Sequence, residues 1–251
     1  MFVAKRLWMV ALGVLVTAFA AGAAVADQLP EAAPTFFGHA TIDLSKGTVT
    51  WDHVISPILV NLDVYSNVTS ATNFGFSSTD LASQWGDRLT TTGAGTLDQN
   101  EFTIFNSGSS AGPLTTVTAT VNFFDALTST PFGGYATNIN FGAGLPPGFF
   151  SILTVTGLSP LLINLTTTDI VVIQQLSNVA GGASRLGIAS MNPPTIGSSI
   201  PQMYINSSTV GPAGFYNISG QNANPGYLVN VIPPPVPTRT TSWGRIKGLY
   251  R

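Results

Sequence analysis

Cysteine is missing from all 251 residues. Its absence removes disulfides, thiol nucleophiles, cysteine-type zinc sites and iron–sulfur clusters together. Histidine is nearly missing as well, with only His39 and His53 present. Charge is scarce: Asp, Glu, Lys and Arg make up 8% of the chain, against about a quarter in typical globular domains. From Asp27 to Ile232 eleven acids face only Lys46, Arg88 and Arg185, a net of −8. Such a body lacks the clustered cations that neutralise phosphates, which excludes nucleic acid as its partner. After the first 26 residues there is no long hydrophobic run. Leu161–Leu165 and Val171–Ile173 fall far short of the roughly 20 residues a membrane span needs.

Apolar residues themselves are plentiful. They form 44% of the chain and include 15 phenylalanines, so a chain of this length can build a core without disulfides. The one long apolar run lies at the N-terminus. Lys5 and Arg6 precede an uncharged stretch from Leu7 to Ala21, and Ala24-Val25-Ala26 supplies a small-x-small site before Asp27. This arrangement predicts a signal peptide over 1–26, with Ala24 and Ala26 directing cleavage. The mature chain is then secreted or held in the cell envelope, with no transmembrane span.

The remainder reads as strands. Val117, Ala119, Val121 and Phe123 alternate with Thr116, Thr118, Thr120 and Asn122, the period of a strand with one buried face. Val49 and Trp51 repeat the pattern, as do Val60, Leu62 and Val64 against Asn61, Asp63 and Tyr65. Phe102 and Ile104 alternate with Glu101 and Thr103, and Tyr135, Ile139 and Phe141 continue the theme. Turn signals separate these runs: Ser45–Gly47, Thr92–Gly95, Asn106–Pro113, Pro131–Gly134, Gly142–Gly148, Gly181-Gly182 and Asn192–Ser199. Only Asp80–Trp85 suggests a helical turn. Short strands at about ten-residue spacing predict an all-β fold, a single, mostly antiparallel β-sandwich of jelly-roll-like type over 36–232. A leader at 27–35 precedes it. A Pro-rich spacer at 233–239 follows the last strand, Tyr227–Ile232, and a tail at 240–251 ends the chain.

That tail carries Trp243, Arg245, Ile246, Lys247, Tyr250 and Arg251, and residues 233–251 hold four cations and no acid, a net of +4. It reads as a sorting or docking element, because Trp243, Ile246 and Tyr250 share a face if the segment is helical. The body's stretches Val64-Tyr65-Ser66-Asn67, Gln84–Leu89, Phe102–Ile104, Val117–Asp125, Thr154–Leu158 and Asn192–Ser199 resemble exported bacterial β-sandwich domains of the PEP-CTERM/choice-of-anchor type. The resemblance implies a secreted β-sandwich, usually of unassigned function, and supplies no catalytic residues to carry over. The C-terminus departs from that family's tag, having no Pro-Glu-Pro and no hydrophobic span.

No motif forces a reaction. Gly108-Ser109-Ser110-Ala111-Gly112 matches the nucleophile-elbow expression G-x-S-x-G, but a strand and not a helix should follow it. Two histidines alone do not make a metal site. Trp85 with Asp87 is the ligand-binding candidate, set in what reads as a polar loop, and Trp51, Tyr135, Tyr204 and Tyr216 are further rings that could stack on sugars. The cofactor expectation is none, with structural calcium on Asp80, Asp87 and Asp98 as the alternative, though no D-x-D-x-D-G loop exists. The function expected is therefore a non-enzymatic structural or adhesive module. A carbohydrate-binding module is the alternative, followed by a hydrolase whose carboxylates only the fold assembles. Its partner would be an envelope component, a surface polysaccharide or another exported protein.

Overall fold

In the computed structural model, residues 31–52, 62–218 and 223–234 are described. The cleavage residues Ala24 and Ala26, His53, and the tail residues Trp243 to Arg251 lie outside them.

Two sheets stack face to face. The first joins β2 (Thr48–Asp52), β1 (Thr35–Asp43), β9 (Phe149–Thr156), β6 (Gly95–Asn106), β12 (Leu186–Asn192) and β4 (Ala71–Ser78) in that order. Three further strands complete it: β15 (Tyr227–Ile232) beside β6, β3 (Leu62–Ser66) on β15, and the short β10 (Asn164–Leu165) on β6. The second sheet runs β14 (Gly211–Tyr216), β13 (Ser198–Ser207), β5 (Gln84–Thr90), β11 (Asp169–Gly181), β7 (Leu114–Asp125) and β8 (Pro131–Leu145). All pairings are antiparallel except β1 with β9. The chain repeatedly crosses between sheets, at β4–β5, β5–β6, β6–β7 and β8–β9 among others. The protein is thus a β-sandwich, as the alternation and turn spacing predict. Among the described residues no helix is long and apolar enough to cross a membrane.

The core lies between the sheets. On β7, Val117, Ala119, Val121 and Phe123 are buried while Thr116, Thr118, Thr120 and Asn122 are only partly covered, the predicted register. Phe102, Phe123, Leu97 and Leu153 are fully buried, each worth about 1.5–3 kcal/mol relative to exposure. Tyr227–Ile232 is a strand with the expected bounds.

β-Bulges break simple alternation in β3 and in β6. Pairing passes from Tyr65↔Val229 to Asp63↔Asn230 and skips Val64. The extra residue turns both Val64 and Tyr65 into the core, so Tyr65 does not join Asp63 on the outer side as the period predicts. In β6 the register skips Asp98, between Leu97↔Val231 and Gln99↔Asn230. Leu97 and Phe102 therefore share the inner face despite their opposite parity. The outer face of β6 is covered too, with Thr103 and Phe105 buried. Gly75 makes the room for Phe105, since a Cβ there would sit 2.3 Å from the ring.

Turn assignments also change, and Gly142–Leu145 of the expected Gly142–Gly148 turn belongs to β8. Pro131–Gly134 opens β8, and the turn falls instead at 126–130, where Asp125 accepts from the Leu127 and Thr128 N–H groups (2.9 and 2.8 Å). Asp80–Trp85 makes no helix. A 3₁₀ turn forms at Ser159–Leu161, where proline suits the first turn. The N-terminal leader does not run free of the sandwich. Glu31 pairs with Gly75 on the free edge of β4, and its carboxylate accepts from the Ser77 and Ser107 hydroxyls beside Arg185.

Candidate functional site

The outward face of the second sheet carries an array of accessible polar side chains. Successive outward residues on a strand lie about 6.7 Å apart and neighbouring strands about 4.8 Å, so the register dictates a lattice. Thr116, Thr118 and Thr120 of β7 stand opposite Asn140, Asn138 and Ala136 of β8. On the other side Gln175 of β11 faces Thr120, and Gln84 of β5 faces Gln175. Asn206 of β13 faces Gln84.

These groups are linked. Thr118 donates to Asn138 Oδ1 (2.7 Å) and accepts from Asn178 Nδ2 (3.1 Å). Asn206 Nδ2 donates to Gln84 Oε1 (3.0 Å). A shallow groove of about 260 Å³ opens among Thr116, Thr118, Asn138, Asn140 and Asn178. Asn178 reaches it because the register slips between Ser177 and Ala180 and its own backbone turns left-handed (φ 48°). No charged side chain belongs to this lattice. Toward the other end of the same face, Phe124, Val171, Ile173, Tyr204 and Phe215 form an apolar cluster, flanked by the Arg88–Asp169 ion pair (2.5 Å). The threonine half of the lattice is legible from the β7 alternation. The amide half was missed, although Thr137-Asn138-Ile139-Asn140 alternates just as plainly.

The residues singled out in the sequence sit elsewhere and do not converge. Trp85 lies within β5, not in a loop, and is 2% exposed among Phe76, Ile188 and Met203. It presents no ring to a ligand. Asp87, two residues on, points into the same interior and is fully buried. Asp80 is in the β4–β5 turn at one end of the sandwich, where the Ser208 backbone N–H and hydroxyl (2.7 and 2.8 Å) hold its carboxyl below the usual range. Asp98 lies near the opposite end, its carbonyl accepting from Leu158 N–H (3.1 Å). One aspartate at each end and one in the core cannot share a calcium ion. Among the described residues no three His, Cys, Asp or Glu side chains group as metal ligands.

The other rings are also occupied. Trp51 donates to the Asn140 carbonyl (3.1 Å) and packs on Phe37 and Phe141. Tyr135 donates to Asn100 (2.7 Å), Tyr216 donates to the Pro212 carbonyl (2.6 Å), and Tyr204 packs on Phe215.

Two polar constellations test the catalytic alternative. In the first, the Thr154 hydroxyl donates to Glu101 Oε1 (2.8 Å). With its one proton so used, its oxygen can only accept from His39 Nε2. This is the reverse of a nucleophilic triad, in which the imidazole takes the hydroxyl proton. Burial pushes the Glu101 carboxyl up, opposed by the Thr154 hydrogen bond. His39 and Thr154 are 5% and 3% exposed, closed to a substrate. In the second, Ser110 of the glycine-rich loop accepts from the Ser184 and Arg185 backbone N–H groups (2.8 and 3.3 Å). β7 follows it, so the loop is no nucleophile elbow.

Asp87 is the most unusual group in the molecule. Neither carboxylate oxygen has a hydrogen-bonding partner of good geometry, and the nearby Tyr65 hydroxyl has only a weak contact with the Ser199 hydroxyl. Burial raises its pKa well above the carboxylate range, only partly opposed by the Arg88 backbone N–H. Tyr65 and Tyr227 face the same interior, and desolvation with the Asp87 charge pushes both phenols up.

No family model matches the chain, and no curated protein matches it. Among solved structures, a chain titled turnip yellow mosaic virus is similar at 14% identity over 65% of this chain and 96% of that one, with a TM-score of 0.23. At that level the likeness carries no argument.

Proposed function

We propose that this protein is an exported, non-enzymatic adhesive module that holds a neutral polysaccharide of the cell surface on the outer face of its second sheet. The observation that carries the reading is the uncharged lattice of Thr116, Thr118, Thr120, Asn138, Asn140 and Asn178 around an open groove. Amides and hydroxyls both donate and accept, which matches a polymer whose surface is hydroxyls. The lack of charge favours no ionic ligand, and the two accessible chemistries of a hydrolase, a free nucleophile and a solvent-facing carboxylate pair, have no counterpart on this face. The resemblance to choice-of-anchor proteins agrees with a surface role.

Affinity electrophoresis through gels containing a soluble neutral glucan tests the reading. The chain from Asp27 onward is expected to be retarded, and Thr118→Glu with Asn138→Glu to run freely while melting as before. Equal mobility of both proteins with and without the glucan would sink it.

Export rests on the N-terminal pattern. Mass spectrometry of protein recovered from outside the cells is expected to give Asp27 as the first residue. A mature form that retains Met1 would refute cleavage.

A further inference from the structure

The large apolar side chains left exposed are unevenly spread. Leu127 (78%), Leu162 (70%), Leu62 (50%), Leu161 (49%) and Ile232 (40%) are five of the seven among the described residues. Strand registers put all five at one end of the sandwich. Leu62 lies opposite Val231, next to Ile232, which faces Thr96 at the start of β6. Asn164, just after Leu161 and Leu162, faces the same Thr96. Leu127 follows Asp125, whose neighbour Ala126 donates its N–H to the Asp169 carbonyl at the start of β11. Phe36 is at the other end.

This apolar end is ringed by acids. Asp43 is matched by Lys46 (2.7 Å) and Asp169 by Arg88 (2.5 Å). Among the described residues Asp63 and Asp125 have neutral donors: the Asn230 amide (2.7 Å) for one and turn N–H groups for the other. The end therefore combines leucines with uncompensated negative charge. The chain's last segment combines the opposite sign with the same apolarity. Arg245, Lys247 and Arg251 are interleaved with Trp243, Ile246, Leu249 and Tyr250, without an acid.

We propose that residues 240–251 of one copy dock on this leucine-rich, acid-rimmed end of a second copy. The geometry of exit favours a second copy over the same one. β15 ends at Ile232, inside the patch. The sequence that follows, Pro233-Pro234-Pro235-Val236-Pro237, favours an extended polyproline chain, which over five residues would reach about 15 Å. Leu62, Leu161 and Leu162 border the exit on its own sheet and Leu127, on the facing sheet, lies about 10 Å across the sandwich, so a spacer of that reach would carry the tail past them and toward a neighbour. Because tail and acceptor share one end, two copies can exchange tails about a twofold axis and close as a dimer. An anionic lipid surface fits less well, since it would meet Asp63 and Asp125 with like charge.

Light scattering on the eluting chain from Asp27 to Arg251 tests the proposal. A dimer is expected, weakened roughly tenfold at about 0.5 M salt by screening. Leu127→Asp with Leu162→Asp, and separately Arg245→Glu with Lys247→Glu, should each weaken it at least roughly tenfold with an unchanged melting temperature; Leu127 and Leu162 are exposed. The cysteine-free background allows a covalent check: Leu162→Cys with Ile246→Cys should give a dimer-sized species on a non-reducing gel. A monomer at tens of micromolar, a dimer indifferent to both charge-and-leucine pairs, or cross-linking only within one copy would overturn it. So would a monomer that binds vesicles of anionic phospholipid through these same residues.

Discussion

Replacing Asp87 with asparagine is expected to raise the melting temperature at pH 7–8 and to flatten its dependence on pH. The native interior favours the protonated carboxyl, because desolvation of both buried oxygens raises the pKa and the Arg88 backbone N–H opposes this only in part. In the unfolded chain the same carboxyl ionises in the ordinary range. Between those two values the folded state binds the additional proton, so stability falls as pH rises. The slope reaches about 1.4 kcal/mol per pH unit for one proton. The asparagine side chain has no proton to lose and keeps the shape, so the difference between the two proteins isolates Asp87 from Glu101, whose raised pKa acts in the same direction. Asp87→Leu provides a second arm, since an apolar isostere at a buried ionic position is often neutral or stabilising. The exposed Asp43, whose pKa the Lys46 hydrogen bond brings down to about 2, acts oppositely and only in acid. Thermal melts from pH 4 to 9 decide the matter. A flat wild-type curve, or an asparagine variant less stable than wild type at pH 8, would show that Asp87 is solvated or paired in solution.

Val121→Asp is expected to cost about 4 kcal/mol, the typical penalty of a buried charge without a partner. For a chain of this size each kcal/mol moves the midpoint by about 2–4 °C, so the loss is near 8–16 °C. Val121 is fully buried, facing Tyr135 across one pairing and Gln174 across the other. The Tyr135 hydroxyl is already donated to Asn100 (2.7 Å) and one Gln174 amide N–H to the Thr103 carbonyl (3.0 Å), which leaves at most a single neutral N–H for the carboxylate and no cation to pair it. Thr120→Asp, one residue away on the outer face, should stay within about 0.5 kcal/mol. Calorimetry that ranks the two substitutions the other way would mean that the register of β7 is wrong.

The contrast between these two positions explains what could be read from residues alone. β7 is covered by the facing sheet on one side and open on the other, so its period of two survives intact and Thr116, Thr118 and Thr120 announce an accessible face. β6 is central and covered on both sides, so Thr103 and Phe105 are buried where alternation would expose them. Val64 and Asp98 sit in bulges, which no local pattern declares, and each shifts the inward set of the residues that follow. Trp85-Gly86-Asp87 reads as a loop because a carboxylate beside glycine usually marks one. Its burial depends on β11 and β13 lying on either side of β5, which is a property of topology. The same holds for the amide half of the candidate face: Gln84, Gln175 and Asn206 come from three strands far apart in the chain.

Glu31 and Ile232 give the molecule a direction under load. The chain enters low on β4, clasped by Ser77, Ser107 and Arg185, and leaves at the opposite end of the sandwich from β15. A pull between an anchored tail and a tethered N-terminus therefore runs along the strands. β15 is flanked by β6 on one side and β3 on the other, so its ladders would be sheared with many hydrogen bonds strained at once, and not peeled open one pair at a time. Rupture of that kind is governed by the unfolding rate and not by the equilibrium stability, so the sandwich can bear tension applied between these two ends even if its folding free energy is ordinary.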